Sequence, residues 1–337
     1  MRTAALARAF GAWLALAEEA HRREYGGDHT VLHGTAARWP VPPEIAERHL
    51  AEPLTWLEAE RLPIVAVVRQ AAALELDELA WDLAMTSVTL FEARSWFDDW
   101  RGTHEHALDA ARRAGNLRGE AAMLHSLGAM YLFQQCHQEA GERFEAALRR
   151  FERLGERHGY ALTLRNLAFL DRLHGDASTA LRRYQQAREI PREVGDAFAE
   201  SHLLGSMALI AMERRRHEIA EGLLQEALAL CRQIGSHRIE AQVTYRLGES
   251  LAQRGRLDRA EEAFAGVLQI VRASQDRIGE MYALLGLGEI AGQQGQRIEA
   301  EARLAKALGH ARAVGERLFA AADAPEAAEI AARLGPT

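Results

Sequence analysis

The stretch from Asn116 to Gly155 reads NLRGEAAMLHSLGAMYLFQQCHQEAGERFEAALRRFERLG, and its pattern returns every 40 residues. Gly155, Gly195, Gly235 and Gly315 hold one register, with Gln275 in the single slot where the glycine is missing. Ala140, Ala180, Ala220, Ala260 and Ala300 form a second row without a gap. A fixed period of roughly 20–50 residues marks a stacked array, in which each unit buries its apolar side only against its neighbours. Arrays of this kind present extended binding surfaces.

Each unit divides into two helices. Helix A is expected over about Arg118–Gln134 and helix B over about His137–Leu154, with a turn at Gln135 matched by Gly175, Arg215, Gly255 and Gly295. Gly128, Ala168, Ala208, Gly248 and Gly288 fall in the middle of helix A. Glycine there costs roughly 1 kcal/mol against alanine, so a recurring small residue implies a second helix pressing on the backbone. The alanine row of helix B is the expected partner. Phe144, Tyr184, Leu224, Phe264 and Leu304 would fill the space beside that contact.

The register sets the organisation. Five full repeats cover 116–155, 156–195, 196–235, 236–275 and 276–315. A degenerate first repeat, 76–115, aligns Phe91 with Tyr131, Ala107 with Ala147 and Leu108 with Leu148, but puts Trp100 in the alanine row. Residues 316–337 are expected as a capping helix with Ala324, Ala327, Ala328 and Ala331 on one face. Pro191, late in a helix B, predicts a kink or an early end. Upstream, residues 1–75 read as a small helical region. A helix over 1–24 carries Leu6, Phe10, Trp13, Leu14 and Ala17 at helical spacing. A loop over 26–43 is broken by glycine and by Pro40, Pro42 and Pro43, and helices resume near Glu44, Pro53 and Pro63.

Totals narrow the function. Of 337 residues, 48% are apolar and 26% charged, the composition of a folded chain. A net charge of −7 argues against a nucleic-acid binder, which would carry a basic stripe. Cys136 and Cys231 are too few and too far apart for a disulfide framework, so a reducing cytoplasm is the expected compartment. Arg8, Glu18 and Glu19 interrupt the N-terminal apolar run, which reads as an amphipathic helix and not a secretion signal. No apolar run reaches the roughly 18 residues of a membrane span.

The candidate chemistry resolves mostly into packing. His29 and His33 lie four apart in a glycine-rich loop with no zinc motif to complete them, and the HTVLHG stretch reads as a plug against the first repeats. His104 and His106 point to different faces of a helix. Gly286, Gly288 and Gly292 miss the dinucleotide spacing at Ala291. Arg214, Arg215 and Arg216 read as a solvated turn, and the two cysteines as packing. No catalytic set, metal site or cofactor is expected.

Aligned on Ala140, the unit shows Leu124, Leu127, Gly128, Tyr131, Ala140, Phe144 and Ala147. It resembles the tetratricopeptide repeat (TPR) in a lengthened form. The resemblance implies an all-α, right-handed superhelix of TPR-like hairpins whose A helices line a concave groove. Asp171, Ala211 and Ala291 depart from its usual aromatic. Upstream, PLTWLEAERLPIVAVVRQAA, LDELAWDLA and FDDWRGTHEHALDAARRAGN are similar to the C-terminal half of actinobacterial SARP-type (Streptomyces antibiotic regulatory protein) NB-ARC/TPR transcriptional regulators. Those carry a winged helix and an NTPase module N-terminal to the repeats. Here the sole lysine, Lys306, stands between alanines, outside any phosphate loop. The chain is therefore expected to be such a regulator's sensor region, as a separated piece or a stand-alone protein.

By register, the concave face collects His125 and Phe133, then Arg165, Asn166, Phe169 and Arg172, then His202 and Met212, then Tyr245, Arg246 and Glu249, then Tyr282 and Glu289. Arginine forks onto carboxylates, amides bond peptide backbone and aromatics bury area, so a protein or peptide partner is expected there. Two alternatives stay open: a receptor for a small ligand or signal peptide, lined by Phe133, Phe169, Met212 and Tyr245, and a scaffold for self-association. Direct contact with nucleic acid or membrane is not expected.

Overall fold

The computed structural model describes residues 2–25, 31–39, 41–273 and 276–319, and the regular structure among them is helical throughout. The helices before the first full repeat are α1 (Arg2–Tyr25), α2 (Pro43–His49), α3 (Pro53–Ala59), α4 (Arg61–Ala73), α5 (Asp77–Thr86), α6 (Val88–Arg94) and α7 (Phe97–Ala114). The five full repeats form hairpins: α8 (Leu117–Phe133) with α9 (His137–Leu154), α10 (Arg157–Leu173) with α11 (Ala177–Val194), and α12 (Ala197–Glu213) with α13 (His217–Ile234). The last two are α14 (His237–Gln253) with α15 (Leu257–Ala273) and α16 (Arg277–Gln293) with α17 (Arg297–Phe319). No described helix is long and apolar enough to cross a membrane.

The turns obey a period of half a repeat. Glu75, Ser95, Gly115, Gln135, Gly155, Gly175, Gly195, Arg215, Gly235, Gly255 and Gly295 all have positive φ, one every 20 residues. A left-handed residue lets the chain leave a helix and reverse within one position. Because Glu75 and Ser95 keep the spacing, the helical-hairpin geometry begins before the first recognisable repeat. Helix starts are periodic too. Asn116, Glu156, Asp196 and Asp276 each accept a hydrogen bond from the backbone N–H three residues on, at 2.6–2.9 Å. Arg112 with Glu120, Arg232 with Glu240 and Arg272 with Glu280 repeat one ion pair from the end of a helix B to the start of the next helix A.

The mid-helix glycines sit under large side chains and not, as expected, under the alanine row. A Cβ on Gly128 would stand 2.8 Å from the Phe144 ring, one on Gly248 2.7 Å from Phe264, and one on Gly288 2.8 Å from Leu304. The alanines of the row are buried as well, Ala140, Ala180, Ala220 and Ala260 with no exposure.

The chain divides into two compact units, Met1–Ile190 and Pro191–Thr337. The division falls inside the repeats, at Pro191, while the helical region 1–75 belongs to the first unit. Its residues Phe10, Leu14, Leu57 and Val68 share one core with Trp81, Trp100 and Leu124. Helix α11 runs through Pro191 to Val194 instead of ending early, and the Pro191 carbonyl accepts the Asp196 N–H at 2.8 Å. Helix α17 runs on past Gly315 to Phe319, where the register led us to expect a turn. Gln275 and the expected capping-helix residues 320–337 lie outside the described residues.

A polar network crosses the first core. The Trp100 Nε1–H donates to Ser126 Oγ at 2.9 Å, and that oxygen lies 2.9 Å from His104 Nε2. Buried His125 places Nδ1 2.9 Å from Thr163 Oγ1. Burial pushes both imidazoles down to about 3, so both are neutral in the folded chain.

Two outcomes follow for stability. Gln135→Gly and Arg215→Gly, each at a positive φ, should stabilise the fold by about 0.5 kcal/mol or more, and Gly155→Ala should cost about 1 kcal/mol, read from urea midpoints. The unfolded chain protonates His104 and His125 near pH 6.5 while the folded chain refuses those protons down to about 3. Stability should therefore fall as pH drops through that window, by up to about 1.4 kcal/mol per pH unit per histidine, and His104→Gln with His125→Gln should flatten the slope.

Candidate binding face

The residues expected on the A-helix face fall into two groups, one in each unit. In the first, α10 presents Arg165, Asn166, Phe169 and Arg172, all half-buried and on one side of the helix by their three- and four-residue spacing. The Arg172 guanidinium lies 5.2 Å from the Phe169 ring centre, a cation–π pair that keeps both groups at the surface. Arg165 is drawn deeper. Burial lowers its pKa from the ordinary arginine value, and the charges that oppose this are the Tyr184 hydroxyl and Glu92 of α6. Nearby Arg183 shows the contrast, since it ion-pairs with Asp171 at 3.1 Å and Glu145 at 2.8 Å.

Phe133, at the end of α8, is 52% exposed with its ring 6.0 Å from Trp100. His125 moves off the face. It is buried against Phe144 at 5.7 Å between ring centres, and bonds Thr163. The helix α10 closes over it, so its imidazole serves the core.

In the second unit, Tyr245 and Tyr282 meet edge to face at 5.8 Å, and Tyr245 also leans on Phe264 at 5.2 Å. Both tyrosines remain half-buried. His202 packs on Phe198 at 5.0 Å. Arg246 reaches across to Gly205, where a Cβ would stand 3.2 Å from its Nη1. Gly205 holds the register of Arg165 and Tyr245, so the missing side chain makes room for the arginine of the following repeat. Glu249 is half-buried and Glu289 exposed, while Met212 is buried and belongs to the core. Among the described residues no group of histidine, cysteine and carboxylate is placed to hold a metal ion. Cys136 and Cys231 are free thiols.

One feature escaped the periodic reading. Residues 31–39 take no regular secondary structure and lie against α1 and α5. The Trp39 N–H donates to the Gly11 carbonyl at 3.1 Å, and a Cβ on Gly11 would collide with the Ala37 carbonyl oxygen. Arg38 forks onto Asp82 and also donates to Glu18. The Thr35 N–H and hydroxyl both donate to Glu78. Burial raises Asp82 above the usual aspartate range, against the pull of the Gly34 N–H and Arg38. Burial also pushes Glu78 up, but its hydrogen bonds from Thr35, Trp81 and Asn116 hold it below the usual range. The only sequence signal was the plug reading of HTVLHG. Val31 and Leu32 are indeed buried, and His29 and Thr30 lie outside the described residues.

Comparison with known proteins follows this geometry. The tetratricopeptide repeat profile matches residues 119–193, 199–273 and 239–313. No curated protein matches the chain. Among solved structures, BtubC (BKLC) from P. vanneervenii is similar at 20% identity and a TM-score of 0.57, over 65% of this chain and 92% of its own. The apo form of RapI aligns at 12% identity and a TM-score of 0.53, over 70% of this chain and 99% of its own. A signal transduction ATPase with numerous domains (STAND) from Pyrococcus horikoshii, with a tetratricopeptide repeat sensor, aligns at 14% identity and a TM-score of 0.52. That match covers 82% of this chain and 48% of the ATPase.

The two arginines of α10 and α11 should respond differently to substitution. Arg183→Met strands Asp171 and Glu145 and should cost about 1 kcal/mol in a urea melt, whereas Arg165→Met removes a desolvated charge and should leave stability unchanged or higher.

Proposed function

Because the chain belongs to the tetratricopeptide repeat family, we propose that it is a non-catalytic interaction module that holds a protein or peptide partner on its A-helix face. One observation carries this reading. The residues that do not follow the repeat, Arg165, Asn166, Phe169 and Arg172, remain at the surface of α10 while the repeating rows go into the core. A face that desolvates an arginine without enlisting it in the local ion-pair ladder is spending stability on something other than folding. Arginine beside an aromatic ring suits a partner that offers carboxylates or peptide carbonyls together with apolar side chains.

At the finer level, the module is the sensor region of a SARP-type regulator of specialised metabolism, working in the cytoplasm and gating the NTPase and DNA-binding modules of a longer parent. Two things support that assignment. The stretches 53–72 and 97–116 resemble such regulators, and the Pyrococcus horikoshii ATPase pairs its own tetratricopeptide array with a sensor role. A second reading, a receptor for a small apolar ligand or signal peptide, rests on the half-buried Tyr245 and Tyr282, packed beside the buried Phe264 of the second unit.

A peptide array probed with the purified chain and with the Arg165→Glu, Phe169→Ala double variant tests the first reading. Captured peptides should be lost from the variant by more than tenfold in affinity, and capture that ignores both substitutions removes the α10 face from consideration. Thermal shift against secreted peptides and apolar metabolites tests the second. Saturation at about 100 times Kd should add about 2.7 kcal/mol, and Tyr245→Ala should abolish the shift.

A further inference from the structure

In the degenerate first repeat, the binding register is already filled. Asp82, Met85 and Thr89 stand 40 residues before Ala122, His125 and Ala129, and 80 before Leu162, Arg165 and Phe169. At the third of these registers all five full repeats keep solvent contact, through Ala129, Phe169, Leu209, Glu249 and Glu289. Thr89 does not, being 3% exposed, and the carboxylate-bearing Asp82 has no exposure at all. What covers them is the chain's own N-terminal segment. His21 of α1 hydrogen-bonds Thr89, and residues 31–39 lie over Asp82.

That covering has the attributes of a bound peptide. Residues 31–39 form no regular secondary structure, two apolar side chains, Val31 and Leu32, are buried, and one arginine forks onto a buried carboxylate. Main-chain N–H groups of Gly34 and Thr35 donate to Asp82 and Glu78. Gly34 permits the approach, since a Cβ there would stand 2.7 Å from Asp82 Oδ2. Peptide ligands are held in this manner, with backbone hydrogen bonds giving affinity and side-chain pockets giving specificity.

The geometry points to the face of α5 carrying Glu78 and Asp82 as a peptide-binding site that the chain occupies with its own residues 31–39, and to a partner segment carrying an arginine as the ligand that displaces them. The site deepens the reading of the A-helix face as a binding face, but its acidic chemistry is opposite to that of α10. A tethered occupant sets a threshold, because a competing segment must outbid an intramolecular one present at high effective concentration.

The test uses a labelled peptide VLHGTAARW, the sequence of residues 31–39, and the full chain with those residues replaced by a Gly/Ser segment of equal length. Fluorescence anisotropy should show saturable binding to the replaced chain and at least tenfold weaker binding to the native chain. The peptide carrying Arg38→Glu should not bind either. A folded replaced chain that ignores the peptide, or binds the Arg38→Glu peptide equally, overturns the proposal while leaving the α10 face untouched. Should the replaced chain fail to fold, hydrogen exchange on the native chain decides. The Thr35 amide should exchange by local opening at least tenfold faster than core amides of α5, and exchange only on global unfolding overturns the site.

Discussion

Phe144 occupies the place where a side chain on residue 128 would begin, and the rest of the array follows from that exclusion. With Gly128 and Gly248 opposite Phe144 and Phe264, the rings of helix B lie directly against the backbone of helix A, closer than a side chain on helix A would allow. The approach fixes which stripe of each helix is buried. The positive-φ residue every 20 positions lets consecutive helices meet at that distance without a long loop. Caps and the Arg–Glu pairs eight residues apart then satisfy helix ends in the same places in successive repeats. Only the remaining stripe of helix A is free to vary, and variation there is what a binding surface needs.

The first repeat shows what happens when this constraint loses a neighbour. Trp100 stands where later repeats have alanine, and its indole needs both volume and a hydrogen-bond partner. Ser126 and the neutral His104 supply that partner, at the expense of acid tolerance. Helix α5, with no preceding repeat of the regular kind, is covered instead by α1 and by residues 31–39. The buried Asp82 and the Arg38 fork are tolerable only together, since either charge alone in that position would be strongly unfavourable.

The two units carry different chemistry on the equivalent stripe. The first gathers guanidinium and phenyl groups on α10, with the charge of Glu92 acting on Arg165. The second gathers tyrosines around Phe264 and lets Arg246 fill the space that Gly205 leaves. One backbone plan thus supports two surfaces, because the side chains that fix the plan and those left at the surface lie on different faces of the same helix.

By itself the sequence determined the repeat and the hairpin within it. Those properties depend on local periodicity, glycine position and small-residue rows, all of which survive in one dimension. Arg165, Phe169, Tyr245 and Tyr282, which the register set outside the packing rows, are half-buried. The tertiary structure decided the rest. It took His125 and Met212 into the core, put Phe144 and not an alanine against Gly128, and carried α11 through Pro191. It also laid residues 31–39 on Asp82, 44 residues away from Arg38. Burial and ion pairing across such separations depend on which helix lies overhead, and a helical period records a residue's direction but not its cover.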